Sequence, residues 1–273
     1  MNVKTTIEWT DATWNPVTGC TKVSPGCAHC YAEAITLRFK RGGPFLPGKT
    51  TIRLHEDRLD QPGDWLTPRM IFVNSMSDLF HEEVPFDFVD RVFEVMRECN
   101  WHTYQVLTKR PERMLEYALS RAEVVDWPQH VWAGTSVENQ YWADRRIPLS
   151  RQVPAAVRFL SCEPLLRPLN LDLREIHWVI VGGESGARAR PMDISWVREI
   201  REQCRASGVP FFFKQWGGRT SKAGGRELDG KPWNGMPQVV AATIKKPSDV
   251  IDAKTLRNNT VKPQAPAMMT RQA

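Results

Sequence analysis

The sequence lacks the long apolar stretch that a membrane-spanning helix requires. No window approaches about 18 consecutive apolar residues, and the densest run, Trp178-Val179-Ile180-Val181, has the length of a β-strand. The amino-terminal stretch MNVKTTIEWTD shows no apolar core followed by a small-residue cleavage site. We therefore expect no membrane span and no secretory signal, and we predict a cytoplasmic protein.

The composition also lacks the extremes of disordered and fibrous proteins. Hydrophobic residues make up 41% and charged residues 25% of the chain, which is typical of a globular protein. No repeat of solenoid length is present. The net charge of +6 is concentrated at the end, because residues 239–273 hold six basic and two acidic residues and leave +2 for residues 1–238. A nucleic-acid partner is compatible with this body charge but is not required by it.

From residue 70 onward, strand-like and helix-like stretches alternate. The predicted strands are residues 70–74, 104–107, 131–134, 157–160, 178–181 and 210–213. The predicted helices are residues 86–98, a helix starting at Pro111, and residues 139–146 and 193–206. Such alternation predicts an α/β fold with a parallel sheet. Two architectures fit: an open doubly wound sheet, or a full or partial (β/α) barrel.

We interpret the chain as one body with a tail. The body spans residues 1–237, and its Gly-, Pro- and Arg-rich residues 40–69 are predicted to form an insertion or lid. Residues 217–237 contain six glycines and predict an irregular cap. Residues 238–273 form a basic tail that we expect to be disordered.

Polar residues follow each of the six predicted strands. Because the carboxyl ends of parallel strands meet at one edge, we expect these side chains to gather there. They are Asn74, Ser75, Ser77, Asp78, Thr108, Lys109, Arg110, Thr135, Ser136, Glu138, Ser161, Cys162, Glu163, Glu184, Lys214, Gln215 and Trp216.

Three of the six cysteines lie close together, in the spacing C-x6-C-x2-C. Cys20, Cys27 and Cys30 fall in a Gly- and Pro-containing loop, and a helix is predicted to begin at Tyr31. Thiolates converging in a reducing compartment indicate a soft metal or an iron–sulfur cluster. Three ligands without an obvious fourth favour a [4Fe-4S] cluster with one open iron. A closed zinc site and a chance grouping of reduced cysteines remain alternatives.

The other cysteines are isolated. Cys99 and Cys204 are predicted to be core residues. Cys162 follows a strand, where it is a candidate hydrogen-atom donor or simply a small buried hydrophobe.

Several stretches carry a family resemblance. They are Ile7 to Pro16, Gly26 to Ala32, Ser75 to His81, Leu107 to Pro111 and Gly182 to Gly186. Together they resemble a phage and bacterial three-Cys-motif family of unknown function, over residues 5–237. More distantly, the chain is similar to radical SAM (S-adenosylmethionine) proteins of the spore photoproduct lyase type, whose usual spacing is C-x3-C-x2-C.

This resemblance implies a partial (β/α)6 barrel of the radical SAM type, with the cluster loop after the first strand. It implies a [4Fe-4S] cluster, SAM as cofactor and an electron donor as partner, in a bacterial host or phage-encoded setting. The implied SAM contacts are Ser75, Ser77 and Asp78 at the amino group, Ser136 and Glu138 at the carboxylate or ribose, and Glu163 near the adenine. Glu184 is placed at ribose, phosphate or substrate.

Lyase-type relatives act on nucleic acid, so we predict a nucleic acid or nucleotide substrate that is repaired or modified. Its candidate contacts are Lys109, Arg110 and Arg188, with Arg113, Arg145, Arg146 and Arg190 as further cations whose alternative is a solvated surface. Trp9, Trp14, Trp132 and Trp216 are stacking candidates, although core packing is favoured for each of them. The competing class is a metal- or cluster-stapled nucleic-acid-binding module without catalysis. A SAM methyltransferase is disfavoured because no G-x-G-x-x-G-like turn follows an early strand.

Overall fold

The computed structural model describes residues 5–39, 42–121 and 126–238. Its strands, in chain order, are β1 (Ala12–Trp14), β2 (Val17–Thr18), β3 (Arg53–Leu54), β4 (Met70–Val73), β5 (Thr103–Thr108), β6 (Val131–Ser136), β7 (Arg158–Cys162), β8 (Trp178–Gly182), β9 (Phe211–Gln215), β10 (Glu227–Leu228) and β11 (Lys231–Pro232). The helices are α1 (Tyr31–Arg38), α2 (Phe86–Glu98), α3 (Pro111–Ser120), α4 (Gln140–Ser150) and α5 (Ile194–Ser207).

Seven strands form one parallel sheet in the order β1-β4-β5-β6-β7-β8-β9. A doubly wound sheet reverses its strand order partway, and this sheet does not. Sequential order with right-handed crossovers keeps the helices on one face and curls the sheet into a half-barrel. The predicted α/β class is therefore confirmed, and the open doubly wound alternative is wrong. The barrel has a seventh strand, β1, for which no residues had been predicted.

The two faces of the sheet carry different cores. Alternate strand residues pack under the helices in two apolar clusters. The first contains Val106 and lies under α2 and α3, and the second contains Val179 and lies under α4 and α5. The opposite, inner face carries an aromatic cluster made of Trp9, Phe72, Trp132, Phe159, Trp178, Ile180 and Phe212. Both faces are buried, which explains why the strand sequences do not alternate between apolar and polar residues.

Three of the four candidate stacking tryptophans lie in the core, Trp9 and Trp132 in the inner aromatic cluster and Trp14 in the first apolar cluster. Trp9, Trp14 and Trp132 are 3%, 0% and 1% exposed, so the core packing that the sequence favoured over base stacking is confirmed for these three. Trp216 is half-buried, and its indole N–H donates to the Glu227 carbonyl at 2.8 Å. Rings this large bury roughly 150–250 Å² each, so burial outweighs any benefit from exposing them.

The flanking segments also pack. Leu59 and Trp65 of the predicted insertion belong to the first apolar cluster, and the Trp14 indole N–H donates to the Arg58 carbonyl at 2.7 Å. In the predicted cap, residues 233–235 run antiparallel along β9 and cover that edge of the sheet. The predicted tail lies outside the described residues from position 239 onward. Among the described residues, no helix combines the length and apolar character needed to cross a bilayer.

Candidate functional site

The cysteine loop lies at the carboxyl edge of the half-barrel. It leaves β2 at Gly19, which bridges to Ser77 after β4, and it ends where α1 begins at Tyr31. The thiols of Cys20, Cys27 and Cys30 are all reduced and half-buried. The predicted loop and the predicted helix start are both confirmed.

A guanidinium anchors the start of this loop. Arg110, at the end of β5, is 7% exposed and donates to the Thr21 hydroxyl at 2.8 Å and to the Thr21 carbonyl at 3.2 Å. Its Nη1 also points at the Cys20 Sγ, 3.7 Å away. Arg110 thus binds the cysteine loop. Its prediction as a substrate-binding residue did not include this contact.

Asp78 holds Arg110 in place. Its carboxylate accepts from the Thr108 hydroxyl at 2.7 Å, the Lys109 N–H at 3.1 Å and Arg110 Nη1 at 3.3 Å. Glu82 accepts from the Arg110 Nε at 2.7 Å. Asp78 is 5% exposed, so these partners compensate a buried charge. Its predicted contact with a SAM amino group stays a prediction.

Glu138 anchors the middle of the loop from inside the protein. Its side chain is fully buried and accepts from the Gly26 N–H at 3.2 Å and from Arg146 Nη1 at 3.0 Å. A Cβ at Gly26 would lie 3.1 Å from the Glu138 Cδ, so the glycine permits this close approach. Both carboxylate oxygens are used by the protein, which leaves the predicted ligand contact of Glu138 untested.

Glu184 anchors the end of the loop. It accepts from Arg190 at 2.5 Å and lies 2.9 Å from the Nδ1 of His29, which stands between Cys27 and Cys30. Arg190 also donates to the Pro25 carbonyl at 3.0 Å. Burial opposes ionisation of Glu184, but the hydrogen bonds from Arg190 and His29 hold its pKa at about 2.

A second group of side chains lies beside the loop at the mouth of the half-barrel, which is the opening at the carboxyl ends of its strands. Lys214 lies 2.8 Å from Glu163, and both side chains are mostly buried, at 20% and 13% exposure. The Ser161 hydroxyl donates to the same carboxylate at 3.2 Å. Lys109 comes two residues after Leu107, which packs against the inner aromatic cluster, so both belong to the same face of the strand. No described residue forms an ion pair with the Lys109 ammonium group. The Lys109 ammonium group therefore has charge available for a ligand, whereas Glu163 and Lys214 pair with each other.

The remaining predicted contacts differ in their exposure and hydrogen bonds. Ser75 donates to Asn15 at 3.2 Å, and Ser77 donates to the Val17 carbonyl at 2.8 Å. Ser136 is buried, while Arg188 is exposed. The Tyr31 hydroxyl donates to the Ser75 carbonyl at 2.5 Å, which ties the first turn of α1 to the end of β4.

Cys162 lies on the other face of its strand from Ser161. It is fully buried in the second apolar cluster, together with Cys204 of α5. Cys99 and Cys204 are core residues, as predicted. The alternation of side chains along β7 therefore turns Cys162 away from the mouth.

Two anchoring residues were missed from the sequence. His81, fully buried, lies 2.8 Å from the Thr21 hydroxyl. Arg146 is fully buried in α4 and pairs with Glu138, so its prediction as a nucleic-acid contact in a loop is wrong. Arg146 had a signal, because it recurs with Ala143, Ile147 and Ser150 on the buried stripe of α4. A lone cation on such a stripe indicates a buried ion pair.

Burial makes the thiols of Cys20 and Cys30 hard to ionise. Desolvation raises the pKa of Cys20 to about 12, an effect that nearby Asp78 strengthens and Arg110 opposes. Desolvation also raises the pKa of Cys30. Within residues 5–39, 42–121 and 126–238, no three His, Cys, Asp or Glu side chains are grouped so as to hold a single metal ion.

The chain belongs to a family described as "Protein of unknown function (DUF5131)", whose model matches residues 4–237. That match covers the described body and ends where the tail begins. No curated protein and no solved structure matches the chain.

Proposed function

We propose that this protein is a radical SAM enzyme that acts in the cytoplasm of a bacterial cell, whether host- or phage-encoded. The observation that carries the proposal is the cysteine loop itself. Three half-buried thiols lie on one loop at the carboxyl edge of a parallel half-barrel, where chemistry concentrates in such sheets. The other three cysteines are buried in apolar surroundings and offer no fourth ligand nearby.

The donor set fits a [4Fe-4S] cluster. Thiolates are the usual ligands of these clusters, and each thiolate binds a different iron, so the three need not converge on one point. Cys20, Cys27 and Cys30 would hold three irons and leave the fourth free for the amino and carboxylate groups of SAM. When bound and reduced by one electron, this pair supplies methionine and a 5′-deoxyadenosyl radical that abstracts hydrogen from a substrate.

The chain's own residues hold the loop and orient the ligands. Arg110, Glu138 and Glu184 each bind a different part of the loop, so they position the thiolates. In this proposal Ser75, Ser136 and Glu163 contact SAM from the strand ends. Lys214 holds the Glu163 carboxylate at 2.8 Å and limits its rotation.

We propose an anionic substrate, in the form of a nucleic acid or nucleotide. Lys109 at the mouth has no ion-pair partner among the described residues. Arg188 is exposed and follows the loop anchor Glu184 closely in the sequence. Both side chains are suited to phosphate, which dominates the affinity of proteins for nucleic acids. The buried tryptophans lend no support to base stacking, so the charge alone supports this substrate class.

The test begins with anaerobic reconstitution using iron and sulfide. Wild-type protein should turn brown and bind about four irons, and on reduction it should cleave SAM to 5′-deoxyadenosine. Cys30→Ala should lose both properties. Cys99→Ala, which removes a buried thiol outside the loop, is the matched control and should keep them.

Other outcomes would replace the proposal. Colourless protein with one tightly bound zinc would support the stapled binding module instead. Protein that cleaves SAM should then be tested with single- and double-stranded nucleic acids and with nucleotides. Absence of any nucleic-acid-dependent product would overturn the proposed substrate class while leaving the enzyme class intact.

A further inference from the structure

Arg110 makes a contact that distinguishes it from the other loop anchors. Its Nη1 lies 3.7 Å from the Cys20 Sγ in hydrogen-bonding geometry. Among the hydrogen bonds of the described residues, this is the one in which a cationic side chain donates to a thiol of the cysteine loop. Arg190, by comparison, contacts the loop only through the Pro25 carbonyl.

The position of this guanidinium is over-determined. Arg110 is the residue before α3, and its backbone N–H donates to the Thr108 hydroxyl at 2.8 Å. Each side-chain nitrogen has a protein partner: Nε binds Glu82, Nη1 binds Asp78 and Nη2 binds Thr21. At 7% exposure the guanidinium is largely removed from water, so its removal would leave the Asp78 charge acting on Cys20 without the opposing charge of Arg110.

We propose that Arg110 is a positioning residue that raises the reduction potential of the cluster through Cys20, an inference that rests on the proposed function. Hydrogen bonds to cluster sulfurs and nearby charge are among the features that set these potentials. A cationic donor stabilises the sulfur more when the cluster has gained an electron. Reduction takes one electron from the titrant, which is oxidised in turn, and no proton is transferred.

The experiment is a potentiometric titration of the reconstituted protein with dithionite and redox mediators, followed by electron paramagnetic resonance. In Arg110→Met the reduced cluster should be about tenfold less stable relative to the oxidised one, which corresponds to a potential about 59 mV more negative. Arg110→Lys keeps the charge without the forked donors and should shift the potential by less.

Arg190→Met is the matched control, because it removes a guanidinium that holds the same loop without touching a thiol. We expect its potential to stay within about threefold of the wild-type equilibrium. A second readout is the Fe–S(Cys) stretching frequency in resonance Raman spectra, which should rise in Arg110→Met as the hydrogen bond to Cys20 is lost, and stay constant in Arg190→Met.

The outcomes separate this inference from the proposed function. If wild-type protein binds no cluster, the proposed function itself fails. If Arg110→Met holds a cluster at the wild-type potential, or if Arg190→Met shifts it equally, the tuning role is overturned alone. If neither Arg110→Met nor Arg110→Lys retains a cluster, Arg110 is a structural anchor and the inference is also overturned.

Discussion

Three carboxylates at the mouth of the half-barrel each pair with an arginine. Asp78 pairs with Arg110 at 3.3 Å, Glu138 with Arg146 at 3.0 Å, and Glu184 with Arg190 at 2.5 Å. The three pairs reach different parts of the cysteine loop. Burying charges is costly, so loss of either partner of such a pair would leave an uncompensated charge beside the loop.

Among the variants considered, we expect the largest loss of stability when the Glu138–Arg146 pair is broken. Arg146→Met leaves the fully buried Glu138 carboxylate without its counter-charge and should lower the free energy of unfolding by about 3–5 kcal/mol. The double variant Arg146→Met with Glu138→Gln removes both charges and should lose less than the single variant. Urea unfolding of wild type, Arg146→Met, Glu138→Gln and the double variant measures the coupling between the two residues. Strictly additive losses of stability would contradict it.

The contribution of Glu184 to folding stability should depend on pH. The pKa of Glu184 is lowered from 4.5 to about 2, so its contribution of about 3 kcal/mol is fully present above pH 4.5. The contribution should disappear as the pH falls from 4.5 toward 2. The difference in stability between wild type and Glu184→Gln should therefore be largest at neutral pH and small at pH 2. An equal difference at both values would show that the ion pair does not stabilise the fold.

A Cys162 variant would distinguish a hydrogen-atom donor from a small buried hydrophobic residue at this position. The Cys162 thiol is buried in the second apolar cluster, facing the helices. We expect Cys162→Ala to cost about 1 kcal/mol of stability and to leave the yields of 5′-deoxyadenosine and product unchanged. A variant that cleaves SAM normally but gives an altered product would instead support hydrogen-atom donation by this residue.

At the scale of elements, the strands place small residues where the inner face is most crowded. Gly134 of β6 lies beside Phe159 of β7, and a Cβ there would be 2.1 Å from the ring. The ring belongs to the aromatic cluster that fills the half-barrel below the cysteine loop. The glycine is thus required by packing and not by a turn.

Gly134→Ala should therefore overpack the inner face. We expect a loss of about 1–3 kcal/mol in the free energy of unfolding. Adding Phe159→Leu makes room for the new methyl group and should recover part of that loss. If Gly134→Ala is as stable as wild type, the packing of Phe159 against β6 is not as close as described.

The same elements show which parts of the site the sequence could reveal. The cysteine spacing indicated the loop, and the polar strand ends indicated its surroundings. The ion pairs could not be inferred, because Glu138 and Gly26 are 112 residues apart and meet only in the folded sheet. Arg146 is the exception, since its place on the apolar stripe of α4 predicts burial.

At the scale of the whole molecule, strand order explains where the loop lies. Sequential parallel strands bring every carboxyl end to one edge, so the loop that follows β1 and β2 can contact residues that come after β5, β6 and β8. The alternation of strands and helices predicted the sheet and its class. Strand order could not be predicted, because a doubly wound sheet shows the same alternation. β1 was missed because it is only three residues long.

The most direct test of the central claim is reductive cleavage of SAM by the reconstituted protein. We expect 5′-deoxyadenosine, detected by mass spectrometry, from wild type and Cys99→Ala under dithionite, and none from Cys20→Ala, Cys27→Ala or Cys30→Ala. Wild-type protein that carries a full complement of iron and sulfide yet forms no 5′-deoxyadenosine, with or without nucleic acid, would contradict it.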